Sequence, residues 1–304
     1  MSEQPKALNS KIWGLLILFS VLCGTAFFFT GIAVKELPPL TVVLARVLLA
    51  AIILLHVFWF YGHKLPKTPR QWMPFFIMGL LNNAVPFSFI FAAQTMITVG
   101  LASIINAMTP LFAIIVLASF GEEKLTRNRV IGVIIGIFGV GVLQGSNGTL
   151  DSLTTLGVGL GLIATLSYGF AALWGRRYLS HIPPLKSATC QLICSSAVML
   201  VVVGVVDQPW TLQNPSLNVW MSLVGLALFG TAISYILFFH IMVRYGAGNV
   251  MLGSLLIPVS AIFLGTVFLG EEIHTKEIVG ALIIGLGLLF IDGRLFRRRR
   301  AQKL

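Results

Sequence analysis

Acidic residues are scarce in this sequence. Its 304 residues include 10 Asp and Glu against 21 Lys and Arg, and 10% of the chain is charged while 57% is hydrophobic. Such a composition cannot supply the polar surface that a soluble globular protein needs, so it predicts an integral membrane protein. All the acidic residues lie outside the long apolar runs, which argues against a buried carboxylate relay for protons.

Cysteines and catalytic motifs are also few or missing. The three cysteines, Cys23, Cys190 and Cys194, fall within apolar runs, so no disulfide framework is predicted. The sequence has no HExxH or GxSxG motif and no paired aspartates within an apolar run, which argues against an intramembrane enzyme. The helical spacing of Cys190 and Cys194 is typical of packing rather than of metal ligation, and we expect neither a metal nor a cofactor.

Long hydrophobic runs make up most of the chain. A helix of about 20 apolar residues crosses about 30 Å of hydrocarbon, and the alternating segments of a membrane β-barrel are missing. The sequence therefore predicts an all-α integral membrane protein with ten transmembrane helices. The predicted spans are approximately Ile12 to Val34, Leu40 to Tyr61, Trp72 to Ala93, Leu101 to Phe120, Val130 to Leu143, Leu156 to Trp174, Ser187 to Val206, Val219 to Phe239, Val250 to Phe268, and Ile278 to Ile291.

Positive charge is divided unevenly between the loops. Of the 21 Lys and Arg, all but Lys35, Arg46 and Lys276 fall at the two termini or in every second loop. Because Lys and Arg are retained on the cytoplasmic side, both termini are predicted to be cytoplasmic. We expect the C-terminal run Arg297 to Arg300 to contact anionic membrane lipids, and a basic tail beside membrane spans needs no nucleic-acid partner.

One segment of the sequence occurs twice. GEEKLTRNRVIG, from Gly121, returns as GEEIHTKEIVG from Gly270, and the glycines and prolines of the first span and loop return in the same order between Gly159 and Leu185. This duplication predicts two repeats of five spans, residues 1–150 and 151–304, the second with the basic cytoplasmic tail. An odd number of spans inverts the second copy, and inverted repeats are typical of carriers that expose one central site to either side of the membrane in turn.

Glycines at short spacing predict close helix packing. Gly132 and Gly136 stand at GxxxG spacing, and further glycines follow in the fifth and tenth predicted spans. The full set is Gly132, Gly136, Gly139, Gly141, Gly280, Gly285 and Gly287. The pattern leaves open whether the last span also forms a homodimer surface.

Three stretches resemble a known family. They are PPLTVVLARVLLAA in the second span, INAMTPLFAIIVLASFGEEKLTRNRVIGVIIGIFGVGVL from Ile105, and LLIPVSAIFLGTVFLGEEIHTKEIVGALIIGLGLLFI from Leu255. In this order they resemble the EamA family of the drug/metabolite transporter superfamily over nearly the whole chain. The resemblance implies a bacterial inner-membrane protein that moves small metabolites, often amino acids outward, without a cofactor. The family often has Trp-Gly in the first span, where this sequence has Cys23 and Gly24.

Prolines and polar residues at mid-membrane depth mark a candidate substrate cavity. Inverted-repeat carriers bind solutes where helices are interrupted, and proline removes an amide donor from a helix interior. Pro86, Pro110 and Pro258 are the predicted helix-break or hinge positions, with a packing kink as the alternative. The cavity candidates are Asn82, Asn83, Asn106, Tyr168, Thr25, Ser195 and Arg46. The gate candidates are His56, Tyr235 and His240, with interface aromatics as the alternative.

The charged residues near the membrane surfaces suggest specific partners. Arg46 lies within a predicted span, and a cation at that depth is expected to bind carbonyls, the external vestibule, Glu36 or an anionic solute. The glutamate pairs after Gly121 and Gly270 are predicted on opposite sides of the membrane, so they cannot form one catalytic dyad. We expect each pair to cap the helix that follows it.

These features together predict a secondary transporter that exports small metabolites, such as amino acids, by alternating access. Without buried carboxylates, downhill or weakly coupled transport is favoured. The alternative is a carrier for another solute class, such as nucleosides, sugars or drug-like compounds. A channel is a further alternative, but the sequence has no filter-like repeat or ring of charges.

Overall fold

The computed structural model describes residues 10–144, 152–245 and 247–292, and every regular element in these ranges is helical. Apolar segments form helices because a helix satisfies its own backbone hydrogen bonds where water is absent. The helices are α1 (Ser10–Ala33), α2 (Pro39–Phe60), α3 (Pro69–Gly79), α4 (Val85–Ala93), α5 (Val99–Asn106), α6 (Thr109–Ser119), α7 (Arg127–Gln144), α8 (Ser152–Trp174), α9 (Pro184–Val206), α10 (Leu217–Ala227), α11 (Ser234–Tyr245), α12 (Ala247–Leu269) and α13 (Thr275–Asp292). The all-α prediction is confirmed.

Three π-helical segments continue these helices. Leu80–Ala84 joins α3 to α4, Gly175–Leu179 extends α8, and Leu228–Ile233 joins α10 to α11. A short 3₁₀ turn, Pro209–Thr211, lies between α9 and α10. Two of the π segments therefore lie in the middle of long helices, where wide turns often mark functional sites.

Seven segments of the described chain are long and apolar enough to cross a membrane. They correspond to the first four predicted spans and to the sixth, seventh and eighth. In α12, Gly253–Leu269 forms a shorter apolar helix, and the predicted fifth and tenth spans fall on α7 and α13, of 18 residues each. The seven segments support a multi-pass membrane protein, while the number of ten crossings stays a prediction. The basic tail from Arg297 lies outside the described residues.

The helices run back and forth between two ends of the bundle. The Glu36 end contains the connections 34–38, 94–98, 207–216 and 270–274. The Glu122 end contains the connections 61–68, 120–126 and 180–183. Hydrogen bonds link neighbouring segments at each end. Glu36 accepts from Ser216 in the connection 207–216, and Glu122 accepts from Arg177 in the π-helical segment Gly175–Leu179.

Glycines allow the closest helix contacts. α7 packs along α13, where a Cβ atom on Gly132 would lie 2.5 Å from the carbonyl oxygen of Gly287. α1 crosses α12 at Gly24, where a Cβ atom would lie 2.6 Å from the Cβ of Ser260. The predicted close packing is confirmed at Gly132, Gly136, Gly139, Gly280 and Gly287, whereas a Cβ atom at Gly141 or Gly285 would meet open space.

Prolines affect the helices in different ways. Pro86 cannot donate to the carbonyl of Asn82, and the π-helical segment Leu80–Ala84 lies just before it. Pro110 follows the break at residues 107–108 between α5 and α6. There the Thr109 hydroxyl donates to the Asn106 carbonyl at 2.7 Å, which replaces the donor that proline lacks.

The third predicted proline break differs from the first two. Pro258 lies inside α12, and the helix continues through it. The helix is therefore broken before Pro110, widened before Pro86 and regular through Pro258, and a hinge at any of the three stays a prediction. A membrane helix tolerates a single proline when neighbouring helices and local adjustments satisfy the freed carbonyl.

Candidate functional site

A cavity of about 630 Å³ enters the bundle from the Glu122 end. Exposed Arg176 and Ser180 line its mouth, and buried Thr30 and Gln94 lie at its far limit, toward the Glu36 end. Helices from both halves of the chain form the walls between these limits. The cavity thus passes the middle of the bundle and is open at one end only.

Two asparagines and a tyrosine form a polar network beside the cavity. Asn82 Nδ2 donates to Gln191 Oε1 and to the Tyr235 hydroxyl, at 3.3 Å each. The Tyr235 hydroxyl in turn donates to Asn83 Oδ1 at 2.9 Å. The wide turn of the π-helical segment Leu80–Ala84 allows consecutive asparagines to reach the same tyrosine. The network therefore ties α9 and α11 to the π-helical segment.

Several polar atoms in the cavity wall have no hydrogen-bond partner in the described structure. They are Thr30 Oγ1, Gln94 Oε1 and Asn106 Oδ1, and Asn83 Nδ2 in the adjoining network is unpartnered as well. A buried polar atom is costly unless it is satisfied. These atoms are therefore available to a bound solute or to water.

Arg46 is the buried charge of the cavity wall. Its side chain donates from Nε to the Thr231 hydroxyl at 2.9 Å and from Nη2 to the Gly230 carbonyl at 3.3 Å. The guanidinium carbon lies 3.7 Å from the centre of the Phe87 ring. The residue is 8% exposed, and its described partners are all neutral.

The predicted partnership of Arg46 with Glu36 is wrong. The Glu36 carboxylate accepts from the backbone amide and the hydroxyl of Ser216, both at 2.7 Å, in the connection before α10. These hydrogen bonds, the backbone one first, lower the pKa of the Glu36 carboxyl below its ordinary value. Because Glu36 lies in the connection 34–38 and Arg46 faces the bundle interior, each finds a different partner.

The structure brings most of the predicted site residues together. Arg46, Asn82, Asn106, Tyr168, Tyr235 and Pro110 all line the cavity. Asn83 joins them through its hydrogen bond with Tyr235. Tyr235, a gate candidate together with the two histidines, lies at the polar network in the cavity wall.

Other predicted site residues lie away from the cavity lining. The Thr25 hydroxyl donates to the Leu22 carbonyl and the Ser195 hydroxyl to the Leu192 carbonyl, each within its own helix. His56 and His240 are exposed on α2 and α11. His240 follows Tyr235 by five residues, so at about 100° per residue the two side chains leave the helix in different directions.

Some cavity residues were missed by the sequence analysis. Gln191 lies within a predicted span and Gln94 directly follows one, and both line the cavity. A side-chain amide in or beside an apolar run is the same signal that indicated the asparagines. Phe87 and Phe91 form the aromatic wall beside Arg46, at 3.7 and 5.6 Å from its guanidinium carbon. Aromatic residues are common throughout the spans, so no sequence signal singled these two out.

Glu271 caps a helix, but not the one that was predicted. Its carboxylate accepts from the backbone amides of Val99 at 2.8 Å and Gly100 at 3.4 Å, the first two residues of α5. The prediction that it caps the following helix, α13, is therefore wrong. Two free amides at the start of α5 provide a better anion site than the solvated start of its own helix.

The glutamates at the other end make ion pairs instead. Glu122 binds Arg177 at 2.7 Å, and Glu123 binds Arg176 at 3.0 Å and Arg129 at 2.9 Å. The expected capping of α7 by this pair is thus replaced by contacts with guanidiniums at the mouth of the cavity. Among the residues that the structure describes, no group of three or more His, Cys, Asp or Glu is placed to hold a metal ion.

Comparison with known proteins identifies the family. The model of the EamA-like transporter family matches residues 11–144 and again residues 155–292. The chain belongs to this family. A crystal structure with 17% sequence identity has the same fold, with a TM-score of 0.67 over 96% of this chain and 99% of the other.

The curated relatives of the chain include proteins named as a transporter and as an efflux pump. The "uncharacterized inner membrane transporter YedA" of Escherichia coli K12 is 26% identical over 94% of this chain and 92% of its own length. The "probable amino-acid metabolite efflux pump" of Salmonella typhimurium LT2 is 26% identical over 95% of this chain and 97% of its own length. Protein PecM of Dickeya dadantii is 26% identical over 92% of each chain. The EamA-like protein is thus a multi-pass membrane transporter of the bacterial inner-membrane type that handles small molecules.

Proposed function

We propose that this EamA-like protein is a secondary carrier that exports small metabolites, such as amino acids, by alternating access. The main support for this proposal is the cavity, which reaches past the middle of the bundle and opens at the Glu122 end only. An alternating-access carrier has one such site and opens it to each side in turn. A continuous channel would instead need a path through the buried far limit at Thr30 and Gln94.

The duplicated sequence supports two inverted repeats, residues 1–150 and 151–304, with ten helices in all. The family model matches once in each half. A π-helical segment in the third predicted span, Leu80–Ala84, has a counterpart in the eighth, Leu228–Ile233. With both termini cytoplasmic, the cavity of this state faces the cytoplasm, which is the loading side for an exporter.

The polar wall residues are the proposed solute contacts. Asn82, Asn106, Tyr168 and Arg46 present hydrogen-bonding groups to a largely apolar space. The interrupted helix beside Pro110 and the π-helical segment before Pro86 are the proposed hinges, since each already departs from regular α-helical geometry. The name of the Salmonella relative supports amino-acid metabolites as the solute class.

Counterflow in proteoliposomes tests this function. Vesicles that contain the purified protein are preloaded with an unlabelled amino acid, and the uptake of the same labelled compound is followed over time. A carrier gives saturable uptake that the internal solute accelerates, because exchange avoids the return of the empty protein. Flux that is linear in concentration and unaffected by internal solute, for every metabolite tried, would reject the carrier.

A further inference from the structure

The charge of Arg46 is not balanced within the cavity. Its hydrogen-bond partners are the hydroxyl of Thr231 and the carbonyl of Gly230, which are both neutral. None of the described residues that line the cavity is acidic. A cation that is 8% exposed gains most from an anionic partner, because the low dielectric around it strengthens an ion pair.

The space beside Arg46 suits an apolar group. The guanidinium lies on the face of Phe87 and near Phe91, and further phenylalanines from α1 and α11 line the same cavity. A planar guanidinium held against an aromatic ring presents its remaining N–H groups at the edge, in the geometry that matches a carboxylate. An anionic group bound there would leave the rest of the solute against aromatic walls.

The mouth of the cavity also favours negative charge. Three guanidiniums, those of Arg129, Arg176 and Arg177, stand around the two carboxylates of Glu122 and Glu123, which leaves one positive charge in excess. Arg176 lines the cavity and is exposed. An excess of one sign at an entrance raises the local concentration of solutes of the opposite sign.

A free ammonium group has no comparable site. Without a described carboxylate in the wall, an ammonium would have to exchange its hydration for neutral oxygens such as Asn106 Oδ1 and Gln94 Oε1. Those acceptors satisfy the neutral N–H of an acylated amine equally well, and with a smaller desolvation cost. The cavity thus distinguishes between the two charges of a zwitterion.

From these observations we infer that the cavity selects solutes with a net negative charge, in which a single carboxylate bound by Arg46 is joined to an apolar body and an amine, where present, is acylated. This inference rests on the proposed carrier function and narrows its solute class from amino acids in general to N-acylated and other monoanionic derivatives.

A charge series with one apolar body tests the inference on the wild-type protein. N-acetylphenylalanine is an anion, phenylalanine a zwitterion, N-acetylphenylalaninamide neutral and phenylalaninamide a cation. Dissociation constants are measured by calorimetry on the purified full chain at pH 7. We expect the anion to bind about ten- to hundredfold more tightly than the neutral amide, as for a charge-assisted hydrogen-bonded pair, with the zwitterion between them and the cation weakest. Equal or weaker binding of the anion, or binding of none of the four compounds, would overturn the inference.

Variants of Arg46 assign the preference to this residue. In Arg46→Gln the affinity for N-acetylphenylalanine should fall about tenfold while that for N-acetylphenylalaninamide stays within about twofold. Arg46→Lys should retain the order of affinities. An unchanged anion preference in Arg46→Gln would contradict the assignment. Where Arg46→Gln does not fold, as shown by its gel-filtration profile, the wild-type series and Arg46→Lys decide the matter.

Failure of this inference can be told apart from failure of the carrier function. The same four compounds are used in counterflow. Trans-accelerated flux of phenylalanine equal to that of N-acetylphenylalanine would refute the anion selectivity and leave the carrier intact. Absence of trans-accelerated flux for every solute would remove the carrier function itself.

Discussion

Asn82 is the residue at which three helical segments meet. It lies in the π-helical segment before Pro86, and its side-chain amide donates to Gln191 on α9 and Tyr235 on α11. Both distances, 3.3 Å, are near the long limit of an N–H···O hydrogen bond. These bonds are therefore weak enough to be exchanged for bonds to a solute, which suits the proposed role of Asn82 as a solute contact.

Replacement of this amide should reduce transport. We expect Asn82→Ala to lower the initial rate of counterflow at least about fivefold, because about 1–3 kcal/mol of hydrogen bonding to the solute and to its neighbours is lost. The matched control is Asn218→Ala on α10, an exposed asparagine that does not line the cavity. Equal flux in both variants, at equal amounts of reconstituted protein, would place the solute elsewhere.

The Tyr235 hydroxyl should contribute to stability. It donates to Asn83 Oδ1 at 2.9 Å, and Asn83 is fully buried. Tyr235→Phe removes this donor and leaves a buried amide oxygen without a partner, at a cost of about 1–3 kcal/mol. A lower thermal midpoint than the wild type is expected, measured by intrinsic fluorescence in detergent. Tyr178→Phe, which changes an exposed tyrosine, should leave the midpoint unchanged.

The sequence identified the polar residues of the cavity better than their partners. Asn82, Asn106 and Arg46 were predictable because polar groups in an apolar run must face the protein interior. The link between Tyr235 and Asn83 depends on the wide turn of a π-helical segment, which regular helical spacing does not anticipate. For Thr25 and Ser195 the only sequence signal is their depth in the membrane, and their hydroxyls donate to carbonyls of their own helices.

At the scale of elements, the departures from regular helix determine the shape of the cavity. The π-helical segments Leu80–Ala84 and Leu228–Ile233 widen two long helices. Both segments supply residues to the cavity wall, and so does the turn after Asn106. Pro86 and Pro110 predicted where two departures occur, because a missing amide leaves a carbonyl without a donor. Leu228–Ile233 contains no proline, so only its equivalence to the first copy could have indicated it.

The glycine contact between α7 and α13 should be sensitive to a single methyl group. A Cβ atom on Gly287 would lie 2.6 Å from the carbonyl oxygen of Gly132, and backbone atoms cannot move aside cheaply. Gly287→Ala is expected to lower the thermal midpoint of the purified protein, at a cost of about 1–3 kcal/mol. Gly285→Ala, in the same helix, meets open space and should not lower it. An equal effect of both substitutions would contradict the observed packing.

For the whole molecule, the two ends of the bundle are held together by different kinds of contact. At the Glu36 end, carboxylates accept from backbone amides at the starts of helices in the opposite half of the chain. The carboxylates are those of Glu36, Asp207 and Glu271, and the amides are those of Ser216, Thr41 and Val99, respectively. At the Glu122 end, the contacts are partly exposed Arg-Glu pairs, which contribute about 0–1 kcal/mol each. In the proposed carrier, this difference favours the state with the Glu36 end closed.

Weakening of the Glu36 end should shift the protein toward the opposite-facing state. Glu271→Gln removes the negative charge at the start of α5, worth about 0.3–1 kcal/mol, or about a two- to fivefold change in the equilibrium. The background protein carries Cys190→Ser and Cys194→Ser, which leave Cys23 as its one cysteine. Because Cys23 lines the cavity, its labelling rate reports the access of a reagent to the cavity. With a membrane-impermeant anionic thiosulfonate, the labelling rate of Cys23 from the Glu36 side should rise two- to fivefold in Glu271→Gln, relative to that background.

The neighbouring Glu272 provides the control for this measurement. Its side chain is exposed, and Glu272→Gln removes the same charge one residue away from the carboxylate that binds α5. Labelling from the Glu36 side should therefore stay at the background rate in Glu272→Gln, while in the background protein labelling from the Glu122 side should be faster than from the Glu36 side because the cavity opens there. If Glu271→Gln left the rate from the Glu36 side unchanged, the contact between Glu271 and α5 would not hold that end closed. If Glu272→Gln raised the rate equally, the negative charge of the connection 270–274 would hold the Glu36 end closed, and the hydrogen bonds to Val99 and Gly100 would not be the cause.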